Sequence, residues 1–278
     1  MGKKEKSYLF SRILRKLCRP IVKLDKRLEK SMEVKHKKWE SEQESPAFSK
    51  VNLRDPFFAD IGVISHAGGG MQGLDYLNCV EGFPYYYEKG NRVFEYDVDR
   101  LSTGEFVLTH EADFVKGEKI DSRFQPLELD ALLDIIREHT DIRVIMDCKF
   151  RDLRPFAAYV KEYLKDESIL NRIVIQVFNE ENILQVKSVY DFKVLHVCLM
   201  ASDYNEIAKR CVKYKIGAVS IAEKAIRERS GWQVFDKNNI CAFVYSINTL
   251  KEFATLREQG ITGVFSDFLL TKDLENLK

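Results

Sequence analysis

One rhythm constrains this chain more than any other feature. From residue 61 onward, short runs rich in Val, Ile, Phe and Cys recur eight times, at 62–66, 93–98, 143–149, 172–178, 193–200, 218–222, 241–248 and 263–268. Between most of them lie stretches whose apolar residues repeat at helical spacing, at 127–138, 154–165, 180–190, 203–213 and 249–259. Runs this short read as strands, the longer amphipathic stretches as helices. Strands separated by helices pair in parallel through right-handed crossovers. Eight such units close into a (β/α)8 TIM barrel of the α/β class, and 278 residues are enough for one. An open doubly wound sheet would carry a glycine fingerprint after the first strand, and Gly68-Gly69-Gly70 lacks that spacing.

One piece interrupts the rhythm. After the second run, Ser102-Thr103-Gly104-Glu105 signals a turn, and Phe106-Val107-Leu108-Thr109-His110 follows it. This predicts a hairpin appended at the barrel mouth and ending in a histidine.

Charge divides the chain. Residues 1–40 hold 14 Lys/Arg against 5 Asp/Glu, and the remainder holds 30 against 38. The domain reading is a basic amphipathic extension and linker over 1–60 and a barrel over 61–278. Leu9, Ile13, Leu17, Ile21 and Leu24 predict a basic helix within 7–40, interrupted at Pro20, that suits an anionic membrane surface. Only Tyr8, Phe10 and Trp39 interleave its charge, so no nucleic-acid partner is expected. No run of about 18 apolar residues exists to span a membrane. The N-terminus lacks the apolar core of a secretory signal. The six cysteines form no CxxC pair, and Cys148, Cys198 and Cys241 fall in apolar runs. They read as packed free thiols of a reducing compartment, so the expected location is cytoplasmic, peripheral at a membrane.

Barrels of this kind carry their chemistry at the C-terminal ends of the strands. There the first run ends in His66, the second carries Glu95 and Asp97, the third carries Asp147 and Lys149, and the hairpin ends in His110. Residues two apart on a strand share a face, so Glu95 joins Asp97, and Asp147 joins Lys149. A lone Glu-x-Asp or a single histidine is ordinarily a solvated surface feature. Two histidines, three acids and a lysine at successive strand ends argue a site. Three converging carboxylates with no local salt-bridge partner need a cation, and oxygen ligands select a hard one, Mg²⁺ or Ca²⁺.

At these residues the chain resembles the glycerophosphodiester phosphodiesterase family. Ser65-His66-Ala67-Gly68 is similar to the family's opening His-Arg-Gly strand end, Asn78-Cys79-Val80-Glu81-Gly82-Phe83 to its Asn-Thr helix start, and Glu95-Tyr96-Asp97 to its Glu-x-Asp strand. Ser102-Thr103-Gly104-Glu105 through His110-Glu111 resembles its turn and second histidine, and Asp147-Cys148-Lys149 its acid-x-Lys strand. Val244-Tyr245-Ser246-Ile247-Asn248 resembles its Trp-Thr-Val-Asn strand, and residues 260–267 its closing Thr-Asp segment. The resemblance implies that His66 and His110 are an acid–base pair, that Glu95, Asp97 and Asp147 bind one divalent cation, and that Lys149 holds a phosphoryl oxygen. Tyr245 would line the substrate site in place of the family's Trp. It implies a phosphoric diester hydrolase acting on a small phosphodiester, a lysophospholipid or a phosphodiester-linked polymer, often through the substrate's own neighbouring hydroxyl.

Three departures stand out. The Arg after the first histidine is Ala67, the Glu before Asn is Leu77, and the insertion after His110 is very short, which predicts little cover over the site. The missing Arg and the Asp-x-Lys pattern are shared with sphingomyelin phosphodiesterase D-like enzymes. Those release a cyclic phosphate, which makes lyase-type cleavage the alternative. A catalytically silent barrel that binds phosphodiesters is the alternative outside enzymes.

Overall fold

The computed structural model describes residues 55–110 and 123–277. The extension over 7–40, most of the linker and the segment that follows His110 lie outside these residues. Among the described residues nine strands run β1 (Val63–Ser65), β2 (Val93–Arg100), β3 (Phe106–Leu108), β4 (Arg143–Cys148), β5 (Ile173–Val177), β6 (Lys193–Cys198), β7 (Ala218–Ala222), β8 (Cys241–Tyr245) and β9 (Gly263–Ser266). All but β3 are parallel to their neighbours. β1 pairs with both β2 and β9, so eight strands close into a barrel. β3 is the expected hairpin, antiparallel to β2 with Val98 opposite Leu108. Among the helices between strands are α1 (Pro56–Ala59), α2 (Gly82–Glu88), α3 (Leu129–Glu138), α4 (Arg154–Leu164), α5 (Glu167–Leu170), α6 (Glu180–Val189) and α7 (Tyr204–Tyr214). α8 (Glu223–Glu228), α9 (Val234–Lys237) and α10 (Leu250–Glu258) complete the ring. None is long and apolar enough to cross a membrane.

Strand alternation sorts the apolar residues into two cores. Phe94, Tyr96 and Val98 point outward into the layer shared with the helices. Ile64, Val93, Ile145, Val174, Leu195, Phe243 and Phe265 fill the barrel. Phe58 of α1 closes the barrel's lower end against Phe243, with ring centroids 6.4 Å apart. The inward-facing cations Arg143 and Lys193 reach past it to Asp60 and Asp55, at 2.7 and 2.6 Å. This stopper falls in the stretch read from sequence as linker. With the lower end filled by Phe58 and these two ion pairs, the open end of the barrel is the upper mouth.

The outer layer also holds a buried histidine. His196 on β6 is fully buried; its Nδ1–H donates to the Val197 carbonyl, and Arg210 of α7 donates to its Nε2 at 3.0 Å. Burial and the adjacent guanidinium both oppose a second ring proton and push its pKa down to about 4. The unfolded chain binds that proton first, near the usual value of about 6.5. Stability contributed here is therefore complete above pH 6.5 and lost as pH falls toward 4. Denaturant melts across that window should show a loss of ~2–3 kcal/mol. His196→Gln, which keeps an acceptor for Arg210 and cannot charge, should remove that part of the slope. An unchanged slope in the variant would assign the acid sensitivity elsewhere.

Candidate active site

The first strand hands His66 to the mouth through a tight turn. β1 ends at Ser65 and the chain turns through His66–Gly68, with Ala67 in the left-handed region at φ 48°. That conformation costs a non-glycine residue about 1–2 kcal/mol, and it aims the Ala67 N–H at Glu95 Oε2, 2.8 Å away. Gly69 follows at φ 96°, where an added Cβ would lie 2.2 Å from the Tyr86 ring. Only glycine lets the turn pass that close. The Tyr86 hydroxyl lies 2.6 Å from both the Gly70 and Asp267 carbonyl oxygens, so its one proton ties the turn to the end of β9.

Asp267, directly after β9, reaches His66. Its Oδ1 accepts from His66 Nδ1 at 2.8 Å, and its Oδ2 accepts from Asn248 Nδ2 at 2.8 Å. Asn248 is itself fixed, because its Oδ1 accepts from the Asp267 N–H and the Ser266 hydroxyl. Burial alone would depress the His66 pKa. The Asp267 hydrogen bond and the charges of Glu95 and Asp97 overcome it and lift the imidazole to about 9. The same bond and Asn248 hold Asp267 below the usual carboxylate range against its burial. The arrangement is an imidazole oriented from behind, with Nε2 turned to the mouth.

The three acids converge as expected. Asp97 on β2 and Asp147 on β4 are register partners, and Glu95 lies one inward position below. Each of the three offers an oxygen within 4.8 Å of the others'. Burial and the neighbouring Asp97 push Glu95 up to about 8, and burial raises Asp147. Asn78, also in a left-handed turn, clasps Asp97: its Nδ2 donates to Oδ2 at 3.0 Å and its Oδ1 accepts from the Asp97 N–H at 3.1 Å.

The expectation that these acids lack a local partner is corrected. Lys149 folds back along the face it shares with Asp147, donates to Asp147 Oδ2, and sets Nζ 2.7 Å from Asp97 Oδ1. Asp97 Oδ1 nonetheless faces that charge off the donor line, so it and Asp147 Oδ1 are buried carboxylate oxygens without a hydrogen-bond donor. Four carboxylates, Glu95, Asp97, Asp147 and Asp267, meet two cationic groups, His66 and Lys149. Two buried oxygens without a hydrogen-bond donor, in an all-oxygen set with a surplus of negative charge, fit one hard divalent cation.

His110 stands at the lip, exposed, at the end of the hairpin. It joins the cluster through Tyr76, whose ring lies 4.7 Å from His66 and 5.0 Å from His110. Tyr245 at the end of β8 packs against the inner core through Phe265, and burial pushes its phenol up to about 12. All seven residues singled out from the sequence thus lie at one barrel end. Asp267, Asn248, Asn78 and Tyr76 were given no role there. The first three sit in segments that resemble family motifs, which was the available signal. Tyr76 had none.

The site is a cradle of three carboxylates and a lysine beside an aspartate-held histidine, at the catalytic end of a closed (β/α)8 barrel. Solved structures with this barrel include a glycerophosphodiester phosphodiesterase from Parabacteroides distasonis, at TM-score 0.63 and 15% identity over 79% of this chain and 97% of that one. A phosphodiesterase from Oleispira antarctica, in complex with the product sn-glycerol-3-phosphate, matches at TM-score 0.60 and 17% identity over 78% of this chain and 96% of that one. The glycerophosphodiester phosphodiesterase of Thermotoga maritima matches at TM-score 0.54 and 18% identity, over 74% and 93% respectively. No family model matches the sequence, and neither does any curated protein sequence. The chain has the barrel fold of the glycerophosphodiester phosphodiesterases.

Proposed function

We propose that this chain is a cation-dependent phosphodiesterase that cleaves a glycerophosphodiester or related phospho-alcohol diester by paired imidazole acid–base catalysis. One observation carries the reading: two donor-less buried carboxylate oxygens, a lysine and an aspartate-held imidazole meet at a single barrel mouth.

Glu95, Asp97 and Asp147 would hold the cation. When bound, it supplies Lewis-acid polarisation of a phosphoryl oxygen. The protein's own groups do the rest. A phosphodiester is a stable anion, so its charge must be met before attack. Lys149, 20% exposed, reaches a phosphoryl oxygen once its carboxylate partners are otherwise neutralised. One imidazole takes the proton of the attacking hydroxyl or water, and the other returns a proton to the leaving alkoxide. Asp267 fixes the His66 tautomer and stabilises its charged form.

The mouth has two unlike halves, which supports a choice among substrates. β1, β2, β4 and β9 carry the charged groups. Opposite them, Phe178 and Tyr245 pack on the inner core, and Leu199 and Met200 at the tip of β6 are 50% and 38% exposed. An apolar wall facing a phosphoryl site favours a diester with an acyl or alkyl chain, such as a lysophospholipid, over a polyol polymer. The basic residues within 1–40 would hold such a barrel at an anionic, cytoplasmic membrane surface. The product bound by the Oleispira protein, sn-glycerol-3-phosphate, is the kind of monoester expected here.

Phosphorus NMR tests the reading, with glycerophosphocholine and lysophosphatidylcholine in Mg²⁺ or Ca²⁺ beside a His66→Ala control. A monoester peak that the control lacks is the expected result, larger for the lysolipid. A persisting cyclic phosphate would replace hydrolysis by lyase-type cleavage. Cation binding without turnover on any diester would leave a silent barrel and overturn the proposal.

A further inference from the structure

We infer that Tyr76 is a positioning residue, a ring wedged between the two imidazoles that fixes their separation and attitude across the reacting group. This rests on the reading of His66 and His110 as the acid–base pair.

The two histidines sit in unlike surroundings. His66 is gripped by Asp267 inside the barrel. His110 sits exposed on the lip, beyond the short strand β3, and borders a segment outside the described residues. Acid–base catalysis across one phosphorus needs both imidazoles at fixed distances from atoms on its opposite sides, because misplacement of about 1 Å can cost 10²-fold. Tyr76 supplies a common reference. Its ring stands nearly perpendicular to both imidazoles, at 75° to His66 and 74° to His110. Edge-to-face contact is the favoured geometry for such rings and depends on the ring rather than the hydroxyl.

The loop that carries Tyr76 is built to hold it. Met71 and Leu74 exchange backbone hydrogen bonds across a tight turn. Tyr76 and Asn78 both take left-handed backbone, at φ 54° and 42°. For a bulky residue such as tyrosine that is a strained conformation that the surrounding fold must enforce. Two residues on, Asn78 bonds to both the carboxylate and the backbone of Asp97 and donates its own N–H to the Ala67 carbonyl. The ring is therefore indexed to β1, which leads into His66, and to β2, which carries Glu95 and Asp97. Its hydroxyl makes no hydrogen bond among the described residues, and the residue is 39% exposed toward the mouth. The contacts to both imidazoles are made by the ring.

The test compares wild type with Tyr76→Phe and Tyr76→Leu. The readouts are steady-state kinetics on a diester that wild type cleaves, and the imidazole carbon-bound proton shifts of the five histidines. Tyr76→Phe should stay within about 2-fold of wild type in both kcat and KM. Tyr76→Leu keeps apolar bulk without a ring. It should lower kcat about 10-fold or more at nearly constant KM and remove the ring-current shift from two histidines, leaving His139 and His196 unmoved. Phenylalanine restoring both signals is the signature of the ring. A kcat for Tyr76→Leu within 2-fold of wild type would overturn the inference. So would a change confined to KM, or a Tyr76→Phe variant as impaired as leucine. If wild type cleaves no diester, the phosphodiesterase reading fails by itself. The imidazole shifts then still decide whether Tyr76 lies between the two histidines.

Discussion

Asp267→Asn is expected to lower kcat by about 10³–10⁴-fold with the barrel intact and KM nearly unchanged. The hydrogen-bond network dictates this. Asn248 is locked by two donors on its Oδ1, the Asp267 N–H and the Ser266 hydroxyl, so its Nδ2 always points at position 267. An asparagine there must turn its carbonyl to Asn248, which leaves its NH₂ facing His66 Nδ1. His66 Nδ1 then has to accept, which moves the ring proton to Nε2, the nitrogen that faces the reacting group. The histidine can neither take a proton there nor keep a charge, because the carboxylate that stabilised the imidazolium is gone. Folding should survive, since the fold-bearing bonds from Tyr86 and Gly70 go to the Asp267 carbonyl and not to its side chain. Kinetics with a thermal melt on the same samples check it. A loss of less than about 10-fold in a folded variant would show that His66 works without its aspartate, or that His66 is not in the reaction.

The residue at the centre of that prediction shows where sequence reading stops. All eight barrel strands were legible, because each is a short apolar run and helical patterns separate most of them. The inward set Glu95, Asp97 and Asp147 followed from two-residue periodicity on β2 and β4. Asp267 lies 201 positions from His66, and no local period links them. The link is barrel closure, which sets Ser65 beside Ser266. Once a closed barrel is inferred, its first and last strands must be neighbours, so a polar residue just past the last strand belongs beside the first histidine. The information was present and needed one further step. The acids' salt-bridge partner, Lys149, was missed for a different reason. Spacing puts it on the face of Asp147 but says nothing of whether a long flexible side chain extends to a ligand or folds back on its own carboxylates. Without a cation, electrostatics selects the second. Tyr76 was illegible in any case, because left-handed turns in a glycine-rich loop carry no periodicity.

The electrostatics also sets the effect of removing one acid. Glu95→Gln should leave the cation-free protein nearly as stable as wild type near pH 7 and lower turnover by on the order of 10³, the several kcal/mol a bound cation supplies. Burial and the neighbouring Asp97 raise Glu95 above the usual carboxylate range, so without a cation this site favours the protonated carboxyl more than water does. Glutamine copies that state in shape and charge, and its carbonyl oxygen can still accept from the Ala67 N–H that Glu95 Oε2 binds at 2.8 Å. The difference emerges only when Mg²⁺ or Ca²⁺ is added. Wild type should release a proton, quench the negative surplus around Asp97 and Asp147, and gain about 2.7 kcal/mol of stability at a cation concentration 100-fold above Kd. The sign with pH follows, because protons and cation compete for Glu95. Cation affinity in wild type should rise as pH climbs toward 8 and flatten above it, and the variant should lack that dependence. Melts with and without cation at several pH values measure both. If the variant still gains wild-type stability from the cation, Glu95 is not a ligand and the buried oxygens of Asp97 and Asp147 hold it alone.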